Sequence, residues 1–387
     1  MKTYKGVFLD PVDGEAIAGY LTVEDGMIAG IDMAAPQGAE VVELDGVVIP
    51  GLIDAHVHLT MSGGLDPMAE LEEMSDFLLL ARAAGYLRRY LDAGVTAVRD
   101  LGSRAGAVIG LAQAVERGEL AGPQVVAAGP VITPTGGHGW KFGLEADGPE
   151  GVRRATREVF KMGARAVKFM ATGGVMTPGV RAGAEMFEEE ELRAGVREAE
   201  KRGAVSAAHA QGLAGIKNAV RAGVRTIEHG AFDGWDEEAF LLMERQGTVL
   251  VPTLAAPDGI LRGEGEVPEF MVAKTRPIAE RHRENALEAY RAGVAIAAGT
   301  DAGTPLNPHP NLARELELLA EVGLELLDVL RAATTVAART LGLSASRGRL
   351  APGYVADLVA LDGDPLESAA AYARPLATVV GGEVWRG

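Results

Sequence analysis

His56 and His58 stand two apart in PGLIDAHVHLT, and four further residues, Lys168, His209, His229 and Asp301, each lie in or at the end of a separate short apolar run. Those runs are ARAVKFMATGG, GAVSAAHAQG, VRTIEHG and VAIAAGTDAG. On an extended strand, side chains at i and i+2 share one face with α-carbons roughly 6–7 Å apart. Both imidazoles of the HxH can therefore reach one ion at about 2.0–2.1 Å. His209 and His229 close the strands of adjacent repeats, so neighbouring strands place them side by side, able to share a second ion. Neutral imidazole suits zinc, and also cobalt, nickel or iron. Asp301 can bind a metal, accept a proton from water and return it to a leaving nitrogen. Two ions about 3.5–4 Å apart acidify a shared water and polarise a carbonyl. Taken singly, an HxH, a core histidine or a helix-capping aspartate serves structure equally well; together the six make two-metal hydrolysis the leading reading.

Lys168 sits among Ala166, Val167, Phe169 and Met170. Burial lowers an amine pKa, and a neutral amine reacts with carbon dioxide to give an anionic, bidentate carbamate suited to bridging two cations. An ion pair with Asp100 or Glu228, or an unmodified lysine on one metal, remain alternatives at this level. His138, in TGGHG, suits a hydrogen bond to the scissile carbonyl or its oxyanion, against the reading of a solvent-facing loop residue. Asp54 is expected as a structural hydrogen-bond partner of the HxH. The long loop TGGVMTPGVRAGAEMF offers Met176 and Arg181 to a substrate, Arg181 to a carboxylate. His309, in TPLNPHPN, is expected to line the same pocket, and His282, within a long helical stretch, to lie on the surface.

The elements that must carry these residues repeat. A helical stretch ends in a small residue and Gly, and a short Val- or Ala-rich strand follows: LDAG-VTAVRD, KMGA-RAVKFM, EKRG-AVSAAH, VRAG-VRTIEH, ERQG-TVLVPT and YRAG-VAIAAGTD. Gly just beyond a helix is the expected cap. Strands at 47–58 and 124–128 bring the count to eight. Alternating strands and helices predict a parallel sheet, and eight units over roughly 300 residues fit a (β/α)8 barrel, whose active sites sit at the C-terminal strand ends. All six candidate ligands fall there. A doubly wound open sheet would want a Gly-rich phosphate fingerprint after an early strand, and the chain has none. Both termini read as short alternating strands, which predicts a small β-sandwich domain from residues 1–50 plus 351–387 around a catalytic barrel at 51–350.

The chain has 387 residues, a net charge of −17 and no cysteine. The charge argues against nucleic acid or an anionic membrane as partner. The absence of cysteine excludes disulfides, thiolate ligands and a cysteine nucleophile. MKTYKGVFLD lacks an apolar signal core and no run of about 18 apolar residues occurs, so a cytoplasmic protein is expected.

With its HxH after PGLIDAH, strand lysine, two strand-end histidines and final GTDAG, the chain resembles the amidohydrolase superfamily. The phrase from Gly348 to Pro365, GRLAPGYVADLVALDGDP, is similar to the closing strands of that superfamily's small β-domain. More narrowly, VKFMATGGVMTPG with the 198–230 segment resembles the prolidase-like, imidazolonepropionase-related branch. The resemblance implies two zinc-type ions, His56 and His58 on one and His209 and His229 on the other. It also implies carbamylated Lys168 as bridge, Asp301 as ligand and proton shuttle, and His138 as the carbonyl contact. It implies hydrolysis of a dipeptide or N-acyl amino acid, a small carboxylate-bearing substrate, and it favours a homo-oligomer. Some branch members hold the substrate carboxylate with a tyrosine two residues after the strand-five histidine. Gln211 stands there instead, so a tyrosine-based specificity does not carry over. Cyclic amides, lactones and esters are alternative substrates, and a non-catalytic scaffold is the remote alternative.

Overall fold

The computed structural model describes residues 2–230, 233–234 and 236–387. Four strands come first: β1 (Lys2–Leu9), β2 (Ala16–Glu24), β3 (Met27–Asp32) and β4 (Glu40–Pro50). The central strands are β5 (Leu52–Val57), β6 (Val95–Asp100), β7 (Gln124–Ala127), β8 (Val131–Thr133), β9 (Gly143–Glu145), β10 (Ala166–Met170), β11 (Val205–Ala210), β12 (Thr226–His229) and β13 (Val249–Val251). The chain closes with β14 (Leu358–Leu361), β15 (Pro375–Val380) and β16 (Glu383–Val384).

Strands from both termini form one seven-stranded sheet in the order β16-β15-β14-β4-β1-β2-β3. β1 and β4 are parallel and the remaining pairs antiparallel. The small sandwich expected from the sequence is thus a single mixed sheet, because β4 pairs with β1 on one edge and β14 on the other and so stitches both termini into one ladder. Asp25 and Gly26, at φ 49° and 77°, make the two-residue turn between β2 and β3, the primed geometry that matches strand twist.

The middle of the chain is α/β with parallel sheets. One sheet runs β5-β6-β7 and another β13-β12-β11-β10-β8-β9. Arg165 N–H donates to Ala127 O at 3.0 Å, linking the edge of β7 to the start of β10. Segment 295–302 bonds to Leu250 on one side and to Ala55 and His56 on the other. Alternate residues divide between two apolar clusters, as a period of two requires. Ala55, Ala97, Val126, Ala166, Ala207 and Ala297 face one cluster. Val98, Val125, Val167, Phe169, Ala208 and Ala298 face the other, against the helices. The helices Gly148–Met162 and Leu213–Ala222 end at Gly163 and Gly223, with φ 103° and 93°, as the repeat predicted. Among the described residues, no helix is long and apolar enough to cross a membrane.

The alanine-lined inner cluster leaves room for a fully buried guanidinium. Arg99, on β6, donates to Ala55 O at 2.7 Å, Thr226 Oγ1 at 3.1 Å, Thr340 O at 3.2 Å and Glu228 Oε1 at 3.0 Å. Four elements meet on one side chain. Replacing Arg99 with Leu leaves Glu228 buried and uncompensated, and destabilisation by about 3–5 kcal/mol is expected. A urea-unfolding midpoint equal to that of the parent chain would show that Arg99 does not tie these elements together.

Candidate metal centre

The HxH reaches the interior through an irregularity in β5. Ile53 and Ala55 face the inner cluster, so strict alternation would point Val57 inward and His56 outward. The β5–β6 register shifts between Asp54 and Val57, Val57 joins the outer cluster, and the imidazoles of His56 and His58 face the interior 5.3 Å apart. A bulge of this kind re-aims side chains. Asp54 fixes it, accepting from His56 N–H at 3.2 Å, Thr300 N–H at 3.0 Å and Thr300 Oγ1 at 2.7 Å. That carboxylate ties β5 to the residue before Asp301, the structural role expected of it.

Asp301 Oδ1 lies 3.4 Å from His56 Nε2 and 3.2 Å from His58 Nε2. Donor atoms of a tetrahedral shell with bonds of about 2.0–2.1 Å stand about 3.4 Å apart, so the spacing fits a divalent ion. His56 Nε2 and Asp301 Oδ1 are buried with no aligned hydrogen-bond partner, which a cation would satisfy. Among the described residues this is the compact group of carboxylate and imidazole donors, all within 4.8 Å of one another. His209 and His229 stand beside it: their rings lie 4.5 Å apart, and His229 is 5.2 Å from His56.

The other ring nitrogens are engaged, and this exposes the ones facing the site. His56 Nδ1 is 2.8 Å from Glu228 Oε2 and His58 Nδ1 3.2 Å from Gly102 O. His229 Nδ1 is 2.8 Å from Thr253 Oγ1. His209 is reversed, its Nε2 3.4 Å from Gly173 O, leaving Nδ1 as its free nitrogen. Partners of this kind set the tautomer of a ligand histidine. His229 and Asp301 adopt left-handed backbone, at φ 71° and 56°, strain that concentrates at functional sites.

Burial, with Lys168 next in effect, holds His56 well below the usual imidazole range. Burial and the neighbouring imidazoles do the same to His209 and His229. Their lone pairs are therefore available. His58 is raised: burial opposes its charge, but contact with Asp301 outweighs it, and a cation can take that proton's place. Asp301 is lowered because His56 and His58 outweigh the cost of its burial. Burial pulls the Lys168 amine down to about 8, against the pull of Glu228 and Asp301.

A cavity is lined by His58, His138, Lys168, His209, His229 and Asp301, with Met176 and Gln211. His56 lies beneath this floor, fully buried. His138 is buried there, 4.5 Å from His209, and burial pushes it down to about 3. A recess shares the wall formed by Val175, Met176, Gln211, His229, Asp301 and Thr304, and is otherwise lined by Thr253, Ala256, Pro257, Ile260, Thr275, Ile278 and His282. Arg181 is exposed and outside both linings. His309 is also outside them, stacked on Tyr86 at 4.5 Å and bonded to Tyr90 Oη at 2.6 Å and Met61 O at 3.2 Å. Those bonds hold it as a buried strut. His282 is buried rather than on the surface, with Nε2 2.8 Å from His229 O, because its helix turns that face toward the end of β12.

Sequence reasoning missed Arg99 and Thr253 and treated Glu228 solely as a partner for Lys168. Glu228 had a signal: in VRTIEHG it precedes a candidate ligand on an apolar strand. Arg99 and Thr253 had none, since their partners are distant in sequence.

The amidohydrolase family profile matches residues 47–385. Ochratoxinase from Aspergillus niger is 32% identical over 426 aligned residues, covering 99% of this chain and 85% of its own. A Xaa-Pro dipeptidase with methionine bound in its active site superposes with a TM-score of 0.93 at 28% identity, with 100% of both chains covered. A prolidase complexed with N-methylphosphonate-L-proline superposes with a TM-score of 0.91 at 33% identity, covering 100% of this chain and 99% of that one.

Glu228 orients His56 while neutralising Arg99. Glu228→Gln is expected to weaken metal affinity about 10–100-fold, the usual cost of losing a ligand's hydrogen-bond partner. Competition against a fluorescent chelator measures it, and unchanged affinity would separate Glu228 from the metal centre.

Proposed function

This chain belongs to the amidohydrolase family, and from that membership we propose a metal-dependent hydrolase that cleaves the amide C–N bond of a small, carboxylate-bearing substrate. The observation that carries this reading is the group His56, His58 and Asp301, with unpartnered donor atoms beside a cavity also lined by His209, His229 and Lys168. Two divalent ions, zinc by donor preference, would be held by His56 and His58 on one side and by His209 and His229 on the other. Lys168, as its carbamate, would bridge them and Asp301 would complete the set. Bound there, the ions would supply Lewis acidity toward a carbonyl and acidify water.

The chain's own residues do the rest. Water adds to the carbonyl carbon as Asp301 accepts its proton. Asp301 then passes that proton to the nitrogen as the C–N bond breaks. His138 donates from Nε2 to the carbonyl oxygen, whose negative charge grows in the transition state. The Gln211 amide, on the wall shared by cavity and recess, donates to the substrate carboxylate. His138 lines the cavity alone while Asp301 lines both spaces, so the residue carried by the leaving nitrogen enters the recess. Apart from Asp301, which the reaction uses, the recess offers no countercharge: Thr253, Ala256, Pro257, Ile260, Thr275 and Ile278 are uncharged, and burial holds His282 down to about 4. An unpaired buried charge is costly. Dipeptides and N-acyl amino acids with an apolar C-terminal residue are the substrates this lining favours.

The finer architecture belongs to the same reading. Residues 51–350 make a (β/α)8 barrel, which the bonds from segment 295–302 to Leu250 and to β5 support. Residues 1–50 plus 351–387 make the small β-domain. The exposed Phe77 and Leu78 support a homo-oligomer, and the cytoplasm is the proposed compartment.

Screened against dipeptides and N-acyl amino acids, the zinc-loaded, bicarbonate-treated protein should release amine, with C-terminal Leu, Phe or Pro preferred over Asp or Lys. Asp301→Asn should lower kcat by more than about 100-fold while the circular dichroism spectrum is kept. Release from no member of the library would move the assignment to cyclic amides, lactones or esters.

Carboxylation consumes the neutral amine, and that fraction rises with pH toward the Lys168 value of about 8. At fixed carbon dioxide pressure, a carbamate ¹³C signal from labelled bicarbonate should therefore grow between pH 6 and pH 8. It should vanish in Lys168→Met. A signal independent of pH, or retained in that variant, would remove Lys168 as its source.

A further inference from the structure

Opposite the strand-borne ligands, one wall of the cavity is formed by the loop after β10. Val175, Met176 and Thr177 face the cavity, and the loop packs directly on His138. A Cβ built on Gly174 would come within 2.4 Å of His138 Nε2, so only a glycine admits this approach. Thr177 Oγ1 lies 2.7 Å from His138 Nδ1, and Gly139 N–H is directed at the same oxygen at 3.5 Å.

The loop is held from behind. Lys274, on the helix Glu269–Thr275, donates from Nζ to Thr177 O and Val180 O, both at 2.7 Å, and lies 3.4 Å from Gly174 O. Its amine is lowered by burial, with no charged neighbour contributing. A half-buried ammonium set on three carbonyls of one turn, in place of a carboxylate, fixes the path of that turn. The same turn presents the Thr177 hydroxyl.

Donor and acceptor counting then favours one His138 tautomer. The Gly139 N–H can only donate, and it points at a lone pair of Thr177 Oγ1. The second lone pair of that oxygen could accept from Nδ1–H, but the threonine's own proton would then have no acceptor among the described residues, so that proton is placed on Nδ1. Nε2, on the side of Gly174 and away from Thr177, then carries the ring proton as a donor. In the opposite arrangement Nδ1–H would donate to the threonine, and Nε2 would present a lone pair, which repels a carbonyl oxygen.

We propose that Thr177 and Lys274 are positioning residues for the hydrolysis. Thr177 fixes His138 in its Nε2–H tautomer, and Lys274 holds Thr177 where it can do so. The inference rests on the role given to His138 above, but the tautomer itself is measurable without turnover.

The test uses the full-length protein with labelled histidine, the His138 resonances being assigned by their loss in His138→Gln. Two-bond ¹⁵N–¹H correlation should show protonated Nε2 and bare Nδ1 in the parent chain. Thr177→Val should mix or invert that pattern, and Thr177→Ser should keep it. An Nδ1–H tautomer in the parent, or an unchanged one in Thr177→Val, overturns the inference. In kinetics on an amide substrate, Lys274→Met should lower kcat about tenfold or more with KM altered less than about threefold, the pattern of an interaction used only in the transition state. Lys274→Arg should restore kcat to within about threefold. An unaltered kcat in Lys274→Met overturns the part given to Lys274. The expected tautomer pattern in a protein that cleaves no amide would support the positioning and count against the proposed function alone.

Discussion

A guanidinium buried among alanines must be neutralised where it stands, and in this chain that requirement organises the interior. Glu228 supplies the charge, with one oxygen on Arg99 and Thr226 and the other on His56 Nδ1. Taking both ions out of water costs several kcal/mol each unless geometry and further hydrogen bonds repay it, and here Nε, Nη1 and Nη2 of Arg99 each find an oxygen. One consequence reaches the surface of the cavity. With Nδ1 committed to a carboxylate, the His56 ring cannot rotate, and its Nε2 is left facing Asp301. The arrangement that stabilises the interior and the one that presents a ligand nitrogen are the same arrangement.

Local departures from regular structure make the rest of the site. The bulge in β5 turns the HxH inward, and His229, at the end of β12, and Asp301, in segment 295–302, present their side chains to the cavity from left-handed backbone. The two left-handed residues cost of the order of 1–3 kcal/mol each, and all three departures are held by specific bonds, His229 O lying 2.8 Å from His282 Nε2. Asp54 grips both sides of the bulge, and the Asp301 N–H donates to His56 O at 2.7 Å. The ladders supply direction and the irregularities supply aim.

The parallel strands and the six candidate ligands were legible because both rest on local signals. Gly after a helix, a short Val- or Ala-rich run, and a polar residue at its end are each read within about ten residues. Three of those ligands, His56, His58 and Asp301, come together as the compact group, and the others ring it. What escaped was set by tertiary contact. Arg99 reads as an ordinary charge in VTAVRD until the strand is seen to face inward. His309 reads as a loop residue until Tyr86 and Tyr90 enclose it. The terminal strands were visible as strands, but whether they form one sheet or two depends on which edges β4 pairs with. No pattern within β4 specifies that.

The site therefore has two halves of different mechanical character. Five of the six candidate metal ligands sit on strands or within one residue of a strand end, and Asp301 lies in segment 295–302, which is bonded to β5. His138, Met176 and the recess instead depend on loops and on the helices Ala255–Arg262 and Glu269–Thr275. Substitutions in this second half can alter which substrate fits without disturbing ion binding, which is how one fold comes to serve many substrates. The separation is incomplete in one place. Thr275 lines the recess while its neighbour Lys274 holds the turn against His138. A change that reshapes the recess through this helix moves the carbonyl donor with it, so substrate preference and catalytic rate are coupled at that point and separable elsewhere.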